Sequence, residues 1–80
     1  MKGFKATNLD MKCRDYQFSL GTHKHEGKIK PCESGFHFCK DIEDVRRYYT
    51  ENCRIFEVEA TGNTITRGDK VVTDEINFIR

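Results

Sequence analysis

Long hydrophobic runs are missing from this 80-residue sequence. Its first residues, MKGFKATNLDMKCR, contain no apolar segment of the roughly 7–15 residues that a secretory signal requires. No stretch approaches the roughly 20 apolar residues of a transmembrane helix. We therefore expect a cytoplasmic protein without membrane contacts, in which the four cysteines remain free thiols because that compartment is reducing.

An excess of charge of either sign is also missing, since 14 Lys and Arg residues stand against 13 Asp and Glu residues. Binding of nucleic acid depends on a clustered positive surface, so a nucleic-acid partner is not expected. The most basic stretch, at residues 22–30, also contains Glu26 and is expected to be an exposed loop. These features favour another protein as the partner.

Complete motifs for common enzyme chemistry are absent from the sequence. None of the six glycines opens a helix in the pattern of a phosphate-binding loop. No C-x2-C pair, which is typical of structural zinc sites, occurs. Paired carboxylates such as Glu57 and Glu59 are explained by the outward face of a strand. These absences favour a binding module over an enzyme.

Hydrophobic periodicity predicts an α+β fold. Residues 41–49 have apolar side chains at three- and four-residue spacing, which predicts one short helix after the cap residue Asp41. Alternation predicts strands elsewhere, separated by turns, so the sheet is expected to be mostly antiparallel. We expect a single small domain over residues 1–80. The predicted strands are residues 3–7, 14–20, 36–39, 54–60 and 64–66, with residues 70–79 as one strand or a kinked pair after a hairpin loop.

Two of these strands make specific predictions about the core. Tyr16, Phe18 and Leu20 fall on one face of residues 14–20, and we expect that face to be buried. In residues 54–60, Ile55 interrupts the alternation. One end of that strand is therefore expected to be covered on both faces.

The segment CESGFHFC, at residues 32–39, combines two thiols and an imidazole with two phenylalanines. Alternation places Phe36 and Phe38 on one strand face and His37 with Cys39 on the other. Packing explains this pattern best, because free cysteine often behaves as a small buried hydrophobe. A nucleophilic cysteine–histidine pair and a zinc site are the alternatives. The candidate zinc ligands are Cys13, Cys32, His37 and Cys39.

The end of the predicted helix is a candidate binding surface. Helical spacing places one ring of the Tyr48–Tyr49 pair in the core, and the other is expected near an arginine such as Arg46. Exposed tyrosine and arginine are common anchors of protein interfaces. The alternative, in which both rings cover the sheet, remains open. The candidate binding residues are Tyr48, Tyr49, Arg46 and His37.

The order of several motifs resembles a domain of unknown function that occurs in bacterial, phage and prophage proteins. The resemblance extends over nearly the whole chain and implies no established activity. The residues that carry it are Cys13-Arg14, Tyr16-Gln17-Phe18, Gly21, Cys32 to Cys39, Asp44-Val45, Tyr48-Tyr49, Glu57 to Ala60 and Gly62.

A fainter resemblance concerns Gly35-Phe36-His37-Phe38 and the helix that follows it, which are similar to a strand and helix of ADP-ribosyltransferases. In that family aromatic residues hold the nicotinamide of NAD, and a later glutamate activates the ribose. The resemblance implies Tyr48 or Tyr49 as the stacking residue and Glu75 as the glutamate. Lys5 stands where that family offers an arginine or histidine to NAD.

We therefore expect a binding or regulatory module, encoded by a phage, prophage or bacterium, that acts through contacts with another protein. The partner is expected near the end of the helix or near residues 23–25. A minimal or degenerate ADP-ribosyltransferase-like NAD-binding domain and a small zinc-binding module are the alternatives.

Overall fold

The structure, a computed structural model, describes residues 1–14, 16–31, 33–48 and 52–80. All strand pairs in these residues are antiparallel, and one short helix accompanies them. The predicted fold of a mostly antiparallel sheet with one helix is confirmed, although the sheet dominates. The elements are β1 (Lys2–Asn8), β2 (Lys12–Cys13), β3 (Tyr16–Gln17), β4 (Gly21–Lys24), β5 (Phe36–Cys39), α1 (Ile42–Tyr48), β6 (Cys53–Ala60), β7 (Thr64–Arg67), β8 (Lys70–Thr73) and β9 (Glu75–Phe78).

Seven strands form one sheet in the order β4-β9-β6-β1-β5-β8-β7, while β2 and β3 form a separate hairpin. Only Asp74 separates β8 from β9 in the chain, yet three other strands lie between them in the sheet. One extended residue advances the chain by only about 3.3–3.6 Å. The sheet must therefore curl until the ends of β8 and β9 meet, which gives it a concave inner face and a convex outer face.

Asp74 joins the two edges of this curled sheet. Its carbonyl oxygen accepts a hydrogen bond from the backbone N–H of His25, directly after β4, at 2.7 Å. Its carboxylate accepts hydrogen bonds from the backbone N–H and the side-chain amide of Asn63, directly before β7, at 2.8 and 3.0 Å. Of the two alternatives for residues 70–79, the kinked pair is the one observed.

The main hydrophobic core lies on the concave face, with Phe18 among its members. The Phe18 ring stacks on Phe78 at a centroid distance of 4.6 Å and meets Phe36 edge-on at 5.6 Å. Phe36 and Phe38 share this face of β5, as the alternation of the segment predicted. The buried members of this cluster are Phe18, Phe36, Phe38, Phe56, Val58, Ala60, Val71, Ile76 and Phe78.

The helix α1 packs on the outer face, against β1 and β5. Val45 of the helix forms a small buried cluster with Ala6 and Cys39, and Phe4 and Ile55 pack against it. Ile55 is therefore covered on the outer face, as its break in the alternation predicted. Among the described residues, no helix has the length and apolar character needed to cross a membrane.

The prediction of one strand over residues 14–20 is wrong. Extended pairing stops after Tyr16–Gln17, and of the three residues expected inside only Phe18 is buried, whereas Tyr16 is 41% and Leu20 62% exposed. The backbone N–H of Phe18 donates to the carbonyl of Met11 at 2.8 Å. The side-chain amide of Gln17 donates to the Phe18 carbonyl at 3.0 Å, in place of a neighbouring strand. Local hydrogen bonds thus replace strand pairing, and the alternation ends there.

The prediction of an exposed loop at the start of the basic stretch is also wrong for residues 22–24, which with Gly21 belong to a strand. These residues form the edge strand β4, which pairs with β9 from Gly21↔Phe78 to Lys24↔Glu75. His23 faces the sheet interior and is half-buried, while Thr22 is exposed. A polar sequence can form an edge strand because the strand needs to cover apolar surface on one face only.

Candidate functional site

A cleft of about 810 Å³ opens where β1 and β5 separate. β1 pairs with β6 over seven residue pairs, but its register with β5 is the single pair Phe4↔Cys39. Gly3 allows the close approach at that end, because a Cβ atom there would overlap the Phe38 ring and the Cys39 carbonyl. Beyond this point residues from both faces of the sheet line the cleft. The cleft is therefore a split in the sheet.

Lys5 lies in this split. Its register partner is Phe56, which places the side chain on the concave face, and it is only 7% exposed. Its Nζ donates a hydrogen bond to the carbonyl oxygen of His37 at 2.6 Å, and so bridges β1 and β5. The Nζ lies 5.5 Å from the Phe18 ring centroid. Burial lowers the pKa of Lys5, and the electrostatic interaction and hydrogen bond with Cys13 oppose that shift.

One wall of the cleft is aromatic and held in place by polar contacts. The Tyr16 ring meets Phe36 edge-on at 5.3 Å and packs on Phe18 at 4.6 Å. Its hydroxyl is hydrogen-bonded to Nδ1 of His23 at 2.9 Å, and Nε2 of the same ring is 2.9 Å from the carbonyl oxygen of Ser19. Because these contacts fix a partly exposed ring, they provide a preformed surface against which a ligand can pack.

Cations exceed acids along the cleft. Among the described lining residues, four are Lys or Arg and two are Glu. An anionic ligand is therefore favoured over a cationic one. The cationic residues are Lys5, Arg14, Lys24 and Lys70, and the acidic ones are Glu26 and Glu33.

His37, one of the predicted binding residues, lines the cleft and is half-buried. Burial is the largest cause that lowers its pKa. The positive charges of Lys5, Arg14 and Lys70 lower the pKa further, while a hydrogen bond to the backbone of Gly35 opposes them. The imidazole is therefore mostly neutral at pH 7, in a place where three cations act together.

In the part of the chain that the structure describes, none of the other predicted binding residues lines the cleft. Arg46 lies on the exposed side of α1, where its guanidinium is 3.7 Å from the carboxylate of Glu43. It is absent from the described lining of the cleft. The side chain of Tyr48 and the whole of Tyr49 lie outside the described residues. Their role in binding stays a prediction.

Three of the four candidate zinc ligands, Cys13, His37 and Cys39, line the same cleft. Within the described ranges, however, no group of three or more His, Cys, Asp or Glu side chains could hold a metal ion. Burial raises the pKa of Cys39, and nearby carboxylates raise it further. Cys32, a candidate zinc ligand and the cysteine predicted to meet His37 in the cysteine–histidine pair, lies outside the described residues. Both alternatives stay open.

The two residues that the ADP-ribosyltransferase resemblance singles out outside the helix, Lys5 and Glu75, line two different depressions. Lys5, at the first-strand position, lies in the cleft. Glu75 alternates with the buried Ile76 on β9 and lines a second depression of about 530 Å³. That depression shares Lys24 and His25 with the cleft. The glutamate implied for ribose activation thus lies beside the cleft, without being among its described lining residues.

Lys5 is the main site residue that was missing from the candidate binding residues, although the ADP-ribosyltransferase comparison drew attention to its position. Gly3, Lys5 and Thr7 share one face of β1, and the apolar Phe4 and Ala6 on the other face gave the strand its hydrophobic character. The structure shows that both faces are covered. In the alternation of β1, the only sign of a buried lysine was its place among the positions that face the interior of a central strand. That sign could be recognised only once the strand order was known.

The fold and the cleft together define a small, sheet-rich domain with a cationic, aromatic-walled site. The chain belongs to the family described as Domain of unknown function (DUF7666), whose model matches residues 1–80. The resemblance of the chain to a domain of unknown function is thereby confirmed. No curated protein matches the sequence, and no solved structure matches it either.

Proposed function

We propose that this chain is a small binding module that acts on another protein and uses the cleft between β1 and β5 as its recognition site. The observation that supports the proposal is the cleft itself, which combines a fixed aromatic wall with the buried ammonium of Lys5. Clefts of several hundred Å³ with apolar walls and a few convergent polar groups are typical ligand sites.

The rim of the cleft offers the residue types that protein interfaces favour. Tyr16 is partly exposed and Arg14 is exposed, and both line the cleft. Tyrosine and arginine commonly supply most of the binding energy of an interface. His25, in the segment expected to contact the partner, also lines it and lies 6.1 Å from the Phe36 ring. A segment of a partner protein could therefore lie along the aromatic wall.

The proposal is tested by selecting binders from a displayed library of random 12-residue peptides and mapping them by amide chemical shifts. Peptides that use the cleft should shift the amides of β5 and lose about tenfold or more in affinity for the Tyr16→Ala variant. Leu20→Ala is the matched control, because Leu20 is exposed but does not line the cleft. Peptides that bind both variants equally and shift α1 instead would refute the cleft as the recognition site.

A dinucleotide such as NAD is the second candidate ligand, and the observation that favours it is that residues 35–38, the segment that carries the resemblance, line the cleft. Lys5 departs from the arginine or histidine that the family offers to NAD. In an ADP-ribosyltransferase-like domain, NAD should cause saturable shifts in β5 and in Tyr48 and Tyr49. Release of nicotinamide over time would show turnover. Saturable binding of NAD elsewhere, without release of nicotinamide, would exclude this candidate.

Zinc is the third candidate ligand, favoured by the presence of Cys13, His37 and Cys39 in one cleft. The measurement is the metal content of protein purified without a metal-binding tag, together with a count of reactive thiols. About one zinc ion per chain with few reactive thiols would support a structural site, and a chelator should then unfold the protein. Four reactive thiols without metal would refute it.

We further propose that the protein is cytoplasmic and of phage, prophage or bacterial origin.

A further inference from the structure

The ammonium of Lys5 is buried without a carboxylate partner among the described residues. Its hydrogen-bonding neighbours are the carbonyl oxygen of His37 and the thiol of Cys13. The ion pairs found in the described ranges involve arginines, and none of them includes Lys5. A buried charge loses its hydration, and only an opposite charge or several hydrogen bonds can offset that loss. An anion that reaches this nitrogen would therefore be held strongly.

Other cations surround the same end of the cleft. Arg14 and Lys70 line the cleft, and both act on His37 together with the buried ammonium. Their fields therefore overlap beside β5. The carboxylates of Glu26 and Glu33 also line the cleft, and those of Asp69 and Asp44 act on Cys39 beside it. The cations are in excess among the described lining residues. Because Lys5 is buried, water screens its charge less than it would screen the same charge on an open surface.

We propose that the end of the cleft at Lys5 is a binding site for an anionic group, phosphate or carboxylate, carried by the partner. The buried Nζ donates a charge-assisted hydrogen bond to one oxygen of the group, while Arg14 and Lys70 approach it from the rim. Such hydrogen bonds are shorter and roughly twice as strong as neutral ones. This inference rests on the proposed function and specifies the chemistry that the cleft recognises.

The test is a titration of 15N-labelled protein with inorganic phosphate and, separately, with acetate, at pH 7 and constant ionic strength maintained with sodium chloride. Saturable shifts are expected at the amides of Lys5, His37 and Phe38. Saturation by phosphate alone would identify a phosphoryl group, and saturation by acetate would identify a carboxylate. Shifts that remain linear with both anions, or that lie elsewhere on the protein, would overturn the inference.

Two lysine variants separate the buried ammonium from general surface charge. Lys5→Met should weaken anion binding by at least about tenfold, because a hydrogen bond to a charged group contributes about 1.5–3 kcal/mol. Lys28→Met removes the same charge from an exposed position that does not line the cleft, and should leave the affinity within about twofold. Equal affinity of Lys5→Met and the wild type would refute the site.

A rim variant keeps the test decisive if Lys5→Met does not fold. Arg14 is exposed, so Arg14→Gln should preserve the fold and weaken phosphate or acetate binding by about two- to fivefold. Unchanged affinity in a folded Arg14→Gln variant would contradict the position of the anion between the rim and Lys5.

The inference and the proposed function fail in different ways. Selected peptides that bind in the cleft without any enrichment of acidic residues, in a protein that shows no anion shifts, would refute the anion site and leave the binding module intact. Saturable anion shifts at Lys5, with selected peptides bound only along α1, would refute the cleft as the protein-recognition site.

Discussion

Replacement of Phe18 by leucine tests the most specific packing feature of the structure. The Phe18 ring is 3% exposed and stacks on Phe78 with a centroid distance of 4.6 Å. A hydrophobic exchange that conserves most of the volume costs up to about 1.5 kcal/mol. Each lost aromatic pair adds about 0.5–1.5 kcal/mol. Since these effects overlap, we expect Phe18→Leu to lower the free energy of unfolding by about 2 kcal/mol.

Thermal and urea unfolding followed by circular dichroism measure this change. In a domain of this size a loss of 1 kcal/mol lowers Tm by about 4–8 °C, so Phe18→Leu should lower it by about 8–16 °C. Leu20→Ala is the control, and its effect should stay within about 0.5 kcal/mol because Leu20 is exposed. If Leu20→Ala destabilised the protein as much as Phe18→Leu, both side chains would lie on one buried face, which would contradict the end of the strand after Gln17.

Three further substitutions test the turn, the buried lysine and the sheet corner. Gly35 has φ +108°, and a Cβ atom there would lie 2.8 Å from Cγ2 of Val72. Gly35→Ala should therefore lower the free energy of unfolding, measured in urea, by about 2 kcal/mol. A neutral effect would contradict that backbone conformation. Burial lowers the pKa of Lys5 below its ordinary 10.5, so the unfolded chain holds the proton more tightly and this group makes stability rise with pH between the two pKa values. Urea unfolding at pH 7 and pH 10 should show a smaller rise in Lys5→Met than in the wild type, and an equal rise would mean that Lys5 is solvated. Asp74→Ala removes two hydrogen bonds to Asn63 and should lower the free energy of unfolding by about 1–2 kcal/mol. The β7 amides should lose their protection from hydrogen exchange first. A uniform loss of protection would contradict a local role.

The strands that could be predicted from the sequence are those with one polar and one apolar face. In β6, Phe56 and Val58 alternate with Glu57 and Glu59, and the structure buries the former pair. The helix was predictable for a similar reason, because the apolar positions recur at helical spacing. In these elements the spacing of apolar and polar residues already indicates which side chains are buried, and the tertiary contacts follow that local pattern.

The remaining elements depend on contacts that the local sequence does not contain. β4 is polar and exists because β9 offers it a pairing edge. The alternation around Phe18 suggested a strand, but side-chain hydrogen bonds of Gln17 ended it. The site at Lys5 arises from the divergence of β1 and β5, which is a property of the curled sheet. Such features could not be predicted without the strand order.

The position of β6 between β1 and β9 has a consequence for how the chain folds. β6 must pair with the first strand of the domain on one side and with its last strand on the other. During synthesis, the core on the concave face therefore cannot form completely until β9 has emerged from the ribosome. Because such pairings join segments distant in sequence, folding is expected on the order of milliseconds to seconds. Until then the phenylalanines of β5 and β6 stay open to water and to other chains, so the unfinished chain is expected to aggregate more readily than the folded domain.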